Sequence, residues 1–205
     1  MSLKNFVAIL FALLLFPLAA SAEFPEADTS KAPLVIMETS MGTIKIELFD
    51  QEAPLTVENF RNYVKQGFYN GLIFHRVIPK FMIQGGGFEP GMKRRNPSQA
   101  PVPNEATNGL KNKRGTLSMA RTGKVHSATS QFFVNVVDNI SLDNRGTLPH
   151  QFGYAVFGKV VQGMDVADRI VATPATTVSS GAGQFKNVPK QDVMIIKMYE
   201  EEKSE

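Results

Sequence analysis

The chain contains no cysteine and no tryptophan, and only three histidines among 205 residues. Each shortage closes a route. Without cysteine there is no disulfide, no thiolate nucleophile, no Cys-ligated zinc and no lipid-modified N-terminal cysteine. His75, His126 and His150 stand far apart, none has metal-ligand spacing with another or with an acid pair, and HEXXH is absent. A Gly-x-Ser-x-Gly elbow is missing as well. The triple glycine Gly85-Gly86-Gly87 lacks both the Gly-x-x-x-x-Gly-Lys spacing and a following helical pattern, which argues against a phosphate loop. Neither sign of charge dominates: the formal net charge is +3, a bias too weak to call for nucleic acid. The basic clusters Lys93-Arg94-Arg95 and Lys111, Lys113, Arg114 lie in a proline-rich loop without interleaved aromatics. They read as a solvated loop rather than a nucleic-acid surface. No cofactor is implied.

What is present describes a globular protein with a leader. Hydrophobic residues make up 43% and charged residues 20%, enough for one buried core. Long apolar runs are confined to the N-terminus. Lys4 precedes an almost wholly apolar stretch at 6–18, and Ala20, Ser21 and Ala22 supply small residues for cleavage. Residues 1–22 therefore read as a secretory signal cleaved near Ala22, excluded from the fold. A membrane anchor is the alternative, but a spanning helix needs about 20 apolar residues and this run is shorter. The expectation is an exported protein without a membrane segment after cleavage, in a bacterial periplasm. Residues 23–33 read as a flexible polar leader, 34–200 as one domain and 201–205 as a charged tail.

Within that domain, Ile44, Ile46 and Leu48 alternate with Lys45 and Glu47, a half-buried strand. A helix follows, with Thr56 as expected N-cap, Glu58 in its first turn and Leu55 with Phe60 as a staple. Val57, Phe60 and Val64 share one face, and Gly67 closes the end. Strands are predicted near 72–78, 115–119, 131–137, 153–162 and 192–199, with a second helix at 164–171 carrying Val166, Ala167, Ile170 and Val171. Many short strands and few helices argue for a mainly antiparallel barrel or sandwich. The 88–114 segment, rich in proline, asparagine and lysine, reads as a long functional or mobile loop.

Two strands carry residues of interest. In QFFVNV (131–136), Phe132, Val134 and Val136 form the core face, while Gln131, Phe133 and Asn135 point the other way. In FHRVI (74–78), Phe74, Arg76 and Ile78 share a face by the same alternation. Together they offer a shallow site with a cation, an amide and apolar rings. Taken singly, Phe133 reads as packing under a loop and Arg76 as one half of a surface ion pair.

FHRVIPKFMIQGGGF, NEATNGLKNKRGTLSMA, SATSQFFVNV and FGYAVFGKVVQGMDVADRI follow one another through the chain. In content and order they resemble the signature blocks of cyclophilin-type peptidyl-prolyl cis-trans isomerases, above all the exported ones of Gram-negative bacteria. The similarity runs from about Leu34 to Tyr199. It implies a closed eight-stranded antiparallel β-barrel capped by two α-helices, with an active groove on its outer surface. It also implies that Arg76 is the catalytic arginine and that Phe81, Met82, Phe133 and Leu142 form a proline pocket. Gln84 falls near the substrate carbonyl, and Ala120, Arg121 and Gln131 flank the residues before the proline. Tyr154 stands where many eukaryotic members have histidine, Arg121 where many have asparagine, and Lys80 where glycine is frequent. Ser141 replaces a tryptophan or phenylalanine, which implies weak cyclosporin binding.

The resemblance implies an isomerase acting on proline-containing polypeptides during folding of exported proteins; no exposed apolar helix or strand demands a partner copy, so a monomer is the default expectation. One alternative is a chaperone of the same fold that holds proline segments with little turnover. Another is an assembly scaffold working through the 88–114 loop.

Overall fold

The structure, a computed structural model, describes residues 33–181 and 183–201. The readings made for 1–22, for all but the last residue of 23–33, and for the tail past 201 lie outside the described residues. The chain opens with the hairpin β1 (Val35–Thr39) and β2 (Gly42–Leu48), then α1 (Pro54–Lys65), β3 (Arg76–Ile78) and β4 (Met82–Gly85). A short ladder of β5 (Phe88–Glu89) and β6 (Lys93–Arg94) precedes an irregular stretch. Then come β7 (Thr116–Met119), β8 (Phe132–Asn135), β9 (Val156–Gln162) and α2 (Met164–Val171). The hairpin of β10 (Ala175–Ser180) and β11 (Gly183–Pro189) leads to β12 (Ile195–Glu200).

Eight strands form one sheet in the order β12-β1-β2-β9-β7-β8-β4-β3, with every neighbouring pair antiparallel. The expectation of a closed barrel is corrected here. No ladder joins β12 to β3, so the sheet is an open, curled half-barrel. Just before β3, Leu72, Ile73, Phe74 and His75 are all buried, so burial does not alternate there as it does along a half-buried strand. Phe74 enters the main core, while Ile73 joins an outer cluster with Phe88, Met92 and Val188, covered by Val178 and Phe185 of the β10–β11 hairpin. Phe74 and Arg76 consequently do not share a face. The segment meets 193–195 through an isolated antiparallel bridge of Ile73 with Met194 and its flanking bonds: Phe74 N–H to the Val193 carbonyl at 2.9 Å, Ile195 N–H to the Leu72 carbonyl at 2.7 Å and Gly71 N–H to the Ile195 carbonyl at 2.8 Å.

The core fills the concave side. Ile44, Ile46, Leu48, Val77, Ile83, Leu117, Phe132, Val134 and Phe157 meet the apolar faces of both helices there. Phe60 of α1 packs edge-on against Phe132, with ring centroids 5.6 Å apart. The helices sit at opposite ends of β2. Its last residue leads through Phe49, whose carbonyl accepts from Ala53 N–H, into α1. Its other end meets α2, where Arg169 donates to the Met41 carbonyl.

Both helices appear near their predicted positions, but the start of α1 differs. Pro54 occupies the first turn, where its missing N–H costs nothing, so the helix begins two residues before Thr56. Thr56 is buried in that turn, and Leu55 is 46% exposed, which removes the staple. Capping comes instead from the 88–114 segment. The Glu105 carboxylate accepts from Leu55 N–H, Thr56 N–H and the Thr56 hydroxyl at 3.2, 2.8 and 2.6 Å. The C-terminal end matches expectation. Gly67, at φ +63°, donates to the Val64 carbonyl and Phe68 to that of Tyr63, a Schellman arrangement sealed by the Tyr63–Phe68 ring contact.

The 88–114 segment is also less solvated than its composition suggested. Asn104 and Asn108 donate to the Gly153 and Val156 carbonyls. Arg95 donates to the Phe68 and Asn70 carbonyls and pairs with Glu89. Asparagine here satisfies sheet and loop backbone that would otherwise lack partners.

Candidate active site

The registers of β3, β4, β8 and β7 create two rows across the sheet. Val77, Ile83, Val134 and Leu117 are cross-strand partners and all are fully buried in the core. One residue along, Arg76, Gln84, Phe133 and Ser118 are partners on the convex face. Strand alternation therefore sets a cation, an amide and an aromatic ring side by side. Arg76 Nη1 donates to Gln84 Oε1 at 3.2 Å, and Gln84 Nε2 donates to Gln131 Oε1 at 3.0 Å. Arg76 has no carboxylate partner among the described residues, so it is not half of an ion pair. Its charge is held by neutral groups.

The apolar side of the site is built from three elements. Met82 lies on β4, 2% exposed. Phe133 lies on β8, 4% exposed, with its ring edge-on to Tyr154 at 5.6 Å. Leu142 ends a single 3₁₀ turn at Ile140–Leu142. Phe81 follows a tight turn in which Phe81 N–H bonds the Ile78 carbonyl and Lys80 adopts φ +58°. With proline at its second position, that turn asks for left-handed backbone at Lys80, where glycine would be unstrained. Arg76, Phe81, Met82, Gln84, Ala120, Arg121, Phe133, Leu142 and Tyr154 together line one cleft of about 110 Å³. Gln131 reaches it through Gln84.

Close backbone approach makes that reach possible and explains the triple glycine. At Gly86, φ is +84° and a β-carbon would stand 2.7 Å from the Ser130 carbonyl oxygen. A side chain on Gly87 would displace that of Gln131. Gly86 and Gly87 thus let the chain just past β4 run against 130–131.

A buried polar network supports the cleft from behind, and the sequence reading missed it. Asn139 Nδ2 donates to the Phe81 carbonyl at 2.8 Å and to Asn135 Oδ1 at 2.7 Å, while its own carbonyl accepts from Leu142 N–H. Asn135 donates to Asn112 and Thr116, and Asp143 accepts from the Asn112 backbone and side chain. Two walls of the cleft, Phe81 and Leu142, thus hang on one asparagine. The available signal was Asn135, a polar residue inside an apolar strand.

Arg121 lies at the rim. Its Nε donates to the Gly153 carbonyl at 2.9 Å, and its guanidinium sits over the Tyr154 ring, 4.9 Å from the centroid. His75, beside Arg76, is buried against Phe88. Burial, and then repulsion from Arg76, lower its pKa to about 4, so at neutral pH it adds no second cation. Among the described residues no group of three or more His, Asp and Glu could hold a metal, and no helix is long and apolar enough to cross a membrane.

Residues 34–200 match the family described as cyclophilin type peptidyl-prolyl cis-trans isomerase/CLD. A peptidyl-prolyl cis-trans isomerase of Acinetobacter baylyi is 56% identical over 163 residues, 80% of this chain and 82% of that protein. Peptidyl-prolyl cis-trans isomerase B of Escherichia coli is 55% identical over 163 residues, 79% of this chain and 96% of that protein. A cyclophilin type peptidyl-prolyl cis-trans isomerase of Cryptosporidium parvum, crystallised in the presence of the dipeptide Ala-Pro, has a similar structure. It is 26% identical with a TM-score of 0.64, covering 83% of this chain and 99% of that one. The matched span takes in the whole large sheet, both helices and every residue around the cleft, and the chain belongs to the cyclophilin-type peptidyl-prolyl cis-trans isomerases.

Proposed function

We infer that this chain accelerates rotation about X-Pro peptide bonds, with Arg76 as its catalytic residue. The observation that carries this reading is an arginine without a carboxylate partner among the described residues, fixed by Gln84 opposite the apolar side of a small cleft. The uncatalysed rotation faces about 18–20 kcal/mol because the C–N bond has partial double-bond character. Exchange then takes about 10–100 s at 25 °C. No bond need break. In the twisted amide conjugation is lost, and the prolyl nitrogen becomes pyramidal and regains a lone pair. A guanidinium donates to that nitrogen more strongly than to the planar one, so the gain is specific to the transition state.

Phe81, Met82, Phe133 and Leu142 hold the proline ring and exclude water, which strengthens the charge-assisted bond. Gln84 orients Arg76 and is itself oriented by Gln131. Ala120, Arg121, Gln131 and Tyr154 hold the residues flanking the proline, so that rotation falls on one bond. A hydrogen bond to a charged group is worth about 1.5–3 kcal/mol, or roughly one to two decades of rate. Desolvation and positioning supply the rest.

The reading extends to an exported, periplasmic monomer, made with a signal at 1–22 and acting on folding polypeptides. It binds cyclosporin weakly, because Ser141 offers no aromatic wall. The test is the cis-to-trans rate of an Ala-Pro peptide with residues 23–205 and with Arg76→Ala. A large acceleration, reduced at least tenfold in a folded variant, is expected. Full activity in Arg76→Ala would sink the catalytic role. Peptide binding without acceleration by the wild type would favour the chaperone reading.

A further inference from the structure

Beside the proline cleft lies a second, larger cavity of about 420 Å³, lined by Arg121, Gly123, Ser141, Asp143, Pro149, His150, Gly153 and Tyr154. It shares Arg121 and Tyr154 with the cleft, so the two are contiguous and one extended peptide can span both. A strand advances about 3.3 Å per residue, which puts a side chain roughly two residues from the proline within reach. Ser141 matters because it is small. A large side chain there would occupy the cavity.

The chemistry of the lining is one-sided. Arg121 is half-buried and carries no carboxylate partner among the described residues. Its Nε and Nη1 are held by the Gly153 and Thr122 carbonyls, both neutral, and its plane lies over Tyr154. Its orientation is thus fixed before anything binds, while its charge is uncompensated. His150 and Ser141 add further donors. The one acid in the lining is Asp143, 8% exposed, whose Oδ1 is taken by the Asn112 backbone N–H at 2.7 Å and side chain at 3.2 Å. That oxygen serves the network behind the cleft.

We propose that this cavity is a second peptide subsite, which selects polypeptides carrying an aspartate or glutamate side chain about two residues from the X-Pro bond. A carboxylate accepts two hydrogen bonds from one guanidinium, and a preoriented, half-buried arginine gains more from it than a mobile surface one. The proposal rests on the isomerase reading and names a substrate class for it.

The test compares peptides with an Ala-Pro centre that carry Glu or Gln two residues before or two residues after the proline. Turnover of the Gln peptides tests the isomerase reading alone. In the wild type one Glu peptide is expected to show kcat/KM about fivefold above its Gln counterpart, through KM. The preference should shrink in 1 M salt, where charges are screened beyond about 3 Å. Arg121→Gln should abolish the Glu/Gln ratio and Arg121→Lys should restore part of it. Equal kcat/KM for Glu and Gln at both positions overturns the subsite while leaving the isomerase intact. So does a preference that survives in a folded Arg121→Gln. If Arg121→Gln does not fold, the wild-type ratio and its salt dependence decide. If no peptide is turned over, the isomerase reading fails. Titration of the same peptides, followed by the amide signals of Gly123 and Gly153, then decides the subsite, and equal affinities overturn it.

Discussion

At the scale of single residues, the candidate site depends on groups that never touch substrate. Asn139 is the clearest. It is 6% exposed and ties the Phe81 carbonyl, Asn135 and Leu142 together. Removing its side chain strands the Asn135 oxygen in a buried setting, while the Phe81 carbonyl keeps only its bond from Val136 N–H. Asn139→Ala is therefore expected to cost about 1–3 kcal/mol in urea unfolding. Because it loosens the Phe81 wall of the proline cleft, while Leu142 N–H keeps its bond to the backbone carbonyl at 139, KM should rise more than kcat falls. An unchanged KM in a folded variant would show that the Phe81 wall is held otherwise. Of the residues around the cleft, the sequence reading gathered all that line it, chiefly through family resemblance. Strand alternation alone reached Gln131, Phe133 and Arg76. The supporting asparagines were invisible, because a buried amide and a solvated one are written with the same letter.

At the scale of elements, the start of α1 shows a cap supplied from far along the chain. Glu105 accepts two backbone N–H groups at the positive end of the helix dipole, 49 and 50 residues from its partners. Glu105→Ala is expected to lose about 1–2 kcal/mol of stability, and Glu105→Gln less, since it keeps an acceptor without the charge. Urea midpoints at unchanged slope measure this. Equal midpoints for all three proteins would remove the cap from the account. Local rules named Thr56 as the cap because its residue type fits and Glu58 follows in what would be the first turn. Pro54 and a distant carboxylate displaced it. The C-terminal end of α1 and all of α2 were legible, since Gly67 and the apolar face of 164–171 are local signals.

At the scale of the whole molecule, His75 links stability to pH. Its folded pKa, about 4, lies below the ordinary histidine value near 6.5. Between those values the unfolded chain binds more protons than the folded one, so stability falls as pH drops from 6.5 toward 4. Above 6.5 the group contributes no slope, and below 4 both states are protonated. The whole window amounts to about 3 kcal/mol. His75→Phe keeps a ring against Phe88 and should flatten the curve in this window. Parallel urea-midpoint curves from pH 7 to 4.5 for both proteins would refute the assignment.

What the sequence determined by itself was everything that periodicity and local chemistry can write down. It specified a mainly antiparallel β protein, two helices, and a core face of Phe132, Val134 and Val136 opposed by Phe133. These follow from alternation of period two and helical period 3.6. Tertiary structure decided the rest. Whether the sheet closes is decided by pairing between segments remote in sequence, and no ladder forms between β12 and β3. The cap on α1, the asparagine network and the pocket beside Arg121 each join residues remote in sequence, and only the folded chain sets their distances.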